Sequence, residues 1–175
     1  MNADPLFDPQ AIAHWAQQAG IARFMGWYWG WPMTEIVHFT GLCLLFGTVA
    51  LYDLRMLGVA RGVELGSLQR LIRVGLLGFG LSLTSGLMFV VTMPDQYLYN
   101  PAFQIKLSLM ALAGVNVVLF YGTSARLANS TAASALPPLR ARVFGAVSLL
   151  CWLGVIACGR VITLYRPSWH WCAWC

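Results

Sequence analysis

The chain has 175 residues, of which 59% are hydrophobic and only 10% charged. Soluble domains carry about 25% charged residues, so the composition excludes an ordinary water-soluble domain and points to an integral membrane protein of one domain. The formal net charge of +5 comes from arginines gathered in short segments between apolar runs. That arrangement argues for topology signals and against a nucleic-acid-binding patch.

Residues 1–20 lack a basic leader and a compact apolar core, and Asp4 and Asp8 oppose the charge pattern of a cleaved signal peptide. Insertion through the chain's own spans is therefore expected. Residues 8–20 predict a short helix lying on the outer membrane surface, with Ile12, Trp15 and Ala16 on one face. The run Trp27, Tyr28, Trp29 and Trp31 follows, interleaved with Gly26 and Gly30. Tryptophan and tyrosine concentrate where hydrocarbon meets water, so this run reads as an aromatic belt.

Four apolar stretches are long enough to cross about 30 Å of hydrocarbon, which takes about 20 helical residues. They cover residues 32–51, 74–93, 106–122 and 143–165. Backbone polar groups must be satisfied within lipid, so these are helices. The expectation is an all-α membrane protein: an antiparallel four-transmembrane-helix bundle (residues 32–166), preceded by an N-terminal segment with an interfacial helix (1–31) and followed by an aromatic, cysteine-bearing tail (167–175). In the second span Gly75, Gly78, Ser82, Ser85 and Gly86 form a strip of small residues, which suits close helix packing in lipid.

Arginines weight the loops 52–73 (Arg55, Arg61, Arg70, Arg73) and 123–142 (Arg126, Arg140, Arg142). The positive-inside rule makes these cytoplasmic. Both termini and the turn at 93–104 then face outward, towards a periplasm if the membrane is a bacterial inner membrane.

The polar residues inside the spans gather on that outer side. Glu35 and His38 are three apart and share a helix face. Ionisable groups in membrane helices face partners or mark function, and His38 is the one in-span histidine. The bland alternative is a Glu–His pair that only joins helices. Lys106 either snorkels to the headgroups or pairs with Glu35 or a haem propionate. Arg160, deep in the fourth span behind Gly159, needs a partner, for which Glu35 serves, and Tyr165 lies just beyond it. Together Glu35, His38, Lys106, Arg160 and Tyr165 predict a cofactor site between the first, third and fourth spans. At the inner end, Asp53 and Arg55 read as a topological anchor, free to cap the helix or pair with Arg70 or Arg73. Asn116 reads as an interhelical hydrogen bond.

Cys43, Cys151 and Cys158 lie within spans and act as small apolar residues. The tail differs: His170, Cys172 and Cys175 offer three ligands to a soft metal such as copper, a labile disulfide, or merely incidental groups among anchoring tryptophans. It is not a c-type haem site, because no histidine follows the second cysteine. No nucleophile elbow, P-loop or His-Glu-x-x-His helix is present, so catalysis by the chain alone is not expected.

Several stretches taken together resemble a known family. They are Trp31-Pro32 ahead of Glu35 and His38; the segment from Gly47 that ends in Asp53-Leu54-Arg55-Met56-Leu57-Gly58; Ser85-Gly86-Leu87-Met88-Phe89; Asn100-Pro101-Ala102-Phe103-Gln104-Ile105-Lys106; Asn116 ahead of Phe120; and Gly159-Arg160 ahead of Tyr165. The resemblance is to small four-helix bacterial membrane proteins of unknown function, related in layout to the CopD-type copper-resistance membrane proteins. It covers roughly residues 30–166 and implies the bundle and an inner-membrane location. Where the pattern carries a histidine after the third-span phenylalanine, this chain has Tyr121, so no ligand role passes to that position.

Three functions remain open. The first is an electron-transfer membrane subunit that holds b-type haem or quinone near the outer surface, with His38 as an axial ligand and Arg160 and Lys106 paired with propionates. The second is an accessory subunit whose outer helix and aromatic ends bind another membrane or periplasmic subunit, with the polar cluster as helix glue. The third is a copper-handling or small-solute membrane protein that uses the tail. The balance favours the accessory subunit.

Overall fold

The computed structural model describes residues 8–60, 62–63, 65–123 and 137–164. All regular structure among them is helical. Helix α1 (Pro9–Gln18) starts where the Asp8 carboxylate accepts from the Gln10 N–H at 3.0 Å, with Pro9 in the first turn. Helix α2 (Ile21–Gly26) follows. Helices α3 (Gly30–Leu57), α4 (Leu65–Thr92), α6 (Pro101–Thr123) and α7 (Leu139–Val161) are long, and a short α5 (Pro94–Leu98) sits between α4 and α6. A 3₁₀ turn, Ile162–Leu164, closes α7.

Four segments are long and apolar enough to cross a membrane: Gly30–Leu57, Arg70–Thr92, Pro101–Thr123 and Leu139–Leu164. The protein is a multi-pass membrane protein embedded in lipid. Its outward surface is correspondingly apolar, with Leu76, Val118 and Leu150 among many exposed hydrophobics.

The helices run further than the apolar stretches. α3 continues past residue 51 to Leu57, and α4 begins at Leu65, so the connection expected over 52–73 shrinks to a few residues. The stop is Gly58, at φ 83°. Its N–H reaches the Arg55 carbonyl, and the Val59 N–H reaches the Leu54 carbonyl at 3.0 Å. This paired closure needs a left-handed residue, which glycine adopts without a side-chain penalty. Hydropathy marks only the lipid-facing part of a helix, while its polar ends keep the same backbone pattern. α1 is not isolated on a surface either. It packs against α2, α4 and α5, and Ala16 is fully buried there.

Packing follows the order α4, α3, α7, α6, with adjacent helices antiparallel. α3 and α4 touch backbone to backbone: a Cβ on Gly78 would lie 2.6 Å from the Gly41 carbonyl oxygen, and one on Gly41 would lie 2.7 Å from that of Gly78. The strip of small residues in the second span is thus a packing face. Leu45, Ala113, Cys151, Trp152 and Val155 fill the centre of the bundle. Met56, Phe120 and Ala141 form a second cluster towards the arginine-rich end. α4 and α6 do not pack on one another to any extent. The bundle is therefore open along one side.

Candidate functional site

The histidine site sits in the half of the bundle that holds the start of α3, the end of α4, the start of α6 and the end of α7. Its centre is His38, half-buried, whose Nδ1 lies 3.0 Å from the Ser85 hydroxyl of α4. Ser85 also donates to the Leu81 carbonyl one turn back. A serine hydroxyl has one hydrogen. When that hydrogen goes to Leu81, Ser85 accepts from His38, an arrangement that puts the imidazole proton on Nδ1. In the neutral ring Nε2 is then a bare acceptor. Ser82 reinforces the arrangement by donating to the His38 carbonyl at 3.1 Å. Phe89 holds the ring edge-on, with centroids 5.8 Å apart. Gly86 lies beneath it, where a Cβ would come within 3.4 Å of the ring.

Glu35 lies one turn before His38 and is exposed. It accepts from the Trp31 indole N–H at 3.0 Å, and Trp31 in turn stacks obliquely on Phe89 at 4.8 Å. Trp31, Glu35, His38 and Phe89 thus form one continuous assembly. Tyr97 of α5 faces the same carboxylate. Burial, and then the charge of Glu35, hold its phenol above its ordinary ionisation range. Lys106 is half-buried and within electrostatic range of His38. Its ammonium lies beside Gly159, where a Cβ would be 3.8 Å from Nζ, at ordinary contact distance.

Two expectations are corrected by this geometry. The principal partner of His38 comes from the second span, through Ser85, whereas the sequence pointed to the first, third and fourth. Glu35 bonds Trp31 and forms no ion pair with Lys106 or Arg160 among the described residues. Arg160 is exposed at the end of α7, which lets its guanidinium reach the boundary region. Tyr165, His170, Cys172 and Cys175 lie outside the described residues. Within them, no cluster of histidine, cysteine, aspartate or glutamate could hold a metal.

The opposite half holds what sequence reasoning missed. A cavity of about 380 Å³ lies between all four long helices. Asp53 of α3 lines it, is only 5% exposed, and has an Oδ2 with no hydrogen-bond partner. Asp53 and Arg55 diverge, since residues two apart on a helix point different ways. Arg55 is buried and donates from Nε to the Val63 carbonyl at 3.0 Å, which ties the α3–α4 connection down. Asn116 bridges α6 to α7, donating to the Phe144 carbonyl at 3.0 Å, as expected of a membrane asparagine. A second asparagine does the same at the other end. Asn100 donates to the Ile162 carbonyl at 3.1 Å while its Oδ1 caps α6 through the Ala102 N–H.

The family pattern spans nearly all of this architecture: residues 13–165 match a family of unknown function (DUF6644). The chain belongs to that family. No curated protein and no solved structure shows significant similarity to it. The match therefore runs from the middle of α1 through the end of α7, including the histidine site and the cavity, and stops short of the cysteine tail.

Proposed function

We propose that this protein is an accessory subunit of a redox or energy-converting membrane complex, and that its histidine site holds a quinone headgroup. The observation that carries this reading is the His38–Ser85 bond. It engages Nδ1 and, with the imidazole proton there, leaves Nε2 to accept a quinol hydroxyl. Lys106 supplies a cationic donor for an oxygen of the same ligand. An axial ligand to haem b would also want its Nδ1 proton held this way. A six-coordinate haem needs a second ligand, however, and the described residues put no second histidine beside His38. Quinone is the better fit. The protein sits in a bacterial inner membrane with both termini on the periplasmic side, in keeping with its arginine distribution and its CopD-like layout. Exposed Trp27, Tyr28 and Trp29, with α1, form the surface that meets a partner subunit.

The test is to extract and quantify quinone from protein purified in mild detergent, for wild type, His38→Ala and Ser85→Ala. Near-stoichiometric quinone is expected in the wild type, with loss in His38→Ala and reduced occupancy in Ser85→Ala. Equal quinone in all three would sink the assignment. Spectra taken in air and after dithionite decide the cofactor: a Soret band that sharpens on reduction replaces quinone with haem.

A further inference from the structure

We propose that the cavity in the arginine-rich half binds a lipophilic organic cation taken sideways from the bilayer, with Asp53 as its counter-charge. Its floor is formed by α3 and α7, where Asp53, Gly145 and Ser148 are buried. Its mouth is formed by α4 and α6, where Leu76, Gly114 and Tyr121 are exposed. Because α4 and α6 do not pack together, the mouth faces hydrocarbon. A ligand dissolved in the membrane reaches it without crossing water.

The chemistry of the lining selects the ligand. Tyr52, Phe79, Phe120, Phe144 and Trp152 surround the space, and aromatic faces attract cations, most strongly where water is excluded. Asp53 is the single ionisable carboxyl there. Ser148 offers it a hydroxyl, but Oδ2 stays without a partner, and no ion pair reaches Asp53 among the described residues. Buried charges are paired as a rule. An unsatisfied carboxyl that lines an aromatic chamber open to lipid is the complement of an aryl-alkyl ammonium ion: Asp53 balances the charge and the apolar body fills the rest. The volume lies at the small end of ligand pockets, which start at about 300 Å³. This site is separate from the histidine site and does not depend on it.

Binding of protonated phenylbutylamine and of its neutral analogue phenylbutanol to the full chain in lipid nanodiscs tests the proposal, with empty nanodiscs as the partition baseline. Saturable amine binding is expected, tighter than the alcohol by about tenfold, as a hydrogen bond to a charged group gives. Asp53→Asn should remove that advantage and leave alcohol binding alone. Gly114→Trp keeps the carboxyl and narrows the mouth, at a position where a new Cβ meets open space. It should weaken both ligands, and it carries the test if Asp53→Asn does not fold. Equal affinities for amine and alcohol, or amine binding untouched by Gly114→Trp, overturn the proposal. So does a wild type that binds no amine while Gly114→Cys cross-links a second copy across the groove; the occupant is then a protein neighbour.

Discussion

The two halves of the bundle solve the problem of polar groups in lipid in opposite ways. At the histidine end three of the polar residues have found protein partners: His38 has Ser85, Glu35 has Trp31, and Asn100 has both α7 and its own helix start. At the arginine-rich end Asn116 is satisfied, but Asp53, which lines the cavity, keeps one buried oxygen without a partner. The lesson is that ionisable residues in membrane helices come in two kinds. Some are consumed by the architecture, with one functional group left over, as with the Nε2 of His38. Others are held in reserve for something that is not protein.

The largest expected effect joins the two halves. Gly41 and Gly78 put α3 and α4 in backbone contact midway between the sites. Gly78→Leu must push the helices apart, and overpacking typically costs about 1–3 kcal/mol, here at the upper end because backbone meets backbone. It should lose both the histidine site and the cavity together, read as a lower melting temperature by fluorescence-detected size exclusion. A variant that kept its melting temperature would mean that the two halves are not held by this contact.

Asn100→Ala comes next and acts on one half only. It removes a helix cap and an interhelical bond at once, which together come to about 2 kcal/mol. Quinone retention should fall while amine binding in the cavity persists. Loss of both in equal measure would show that the halves fold as one unit, and the comparison would break. Asn116→Leu is the mirror experiment. It removes a single membrane hydrogen bond, of roughly 0.6 kcal/mol on average, and should disturb the cavity while sparing the histidine site.

How much of this was legible in the sequence differs between the halves for a physical reason. Glu35, His38 and Lys106 stand out because a charge in an apolar run is costly and visible as such. The four spans and the opening helix were legible on the same ground of hydropathy and period. Ser85 was visible only as a small residue in a packing strip, because its role depends on how α4 is rotated towards α3. Asp53 was read as an anchor free to pair with Arg70 or Arg73, and it makes no such pair among the described residues. Nothing in its local sequence says that α4 and α6 fail to meet, and that gap is what creates the cavity. The helix ends were underestimated because Tyr52 through Leu57 are polar enough to look like loop, yet they keep their backbone bonds as far as the Gly58 turn.

The smallest effect sharpens the histidine half. Tyr97 lies in α5, between the spans, and its phenol is held above its ordinary value of 10.0, first by burial and then by Glu35. The uncharged phenol is thus favoured by folding. Its contribution to stability is complete below pH 10.0 and is lost as pH rises through the higher folded value. Thermal melts across the alkaline range should show a decline that Tyr97→Phe abolishes. Glu35→Gln removes only the second cause, so the decline should still begin at the unfolded value but be smaller and finish at lower pH, because the folded tyrosine now ionises more easily. If Glu35→Gln left the alkaline profile unchanged, the carboxylate would not be facing Tyr97 as a charge. The chain of contacts from α5 through Glu35 and Trp31 to His38 would then have to be drawn without its electrostatic link.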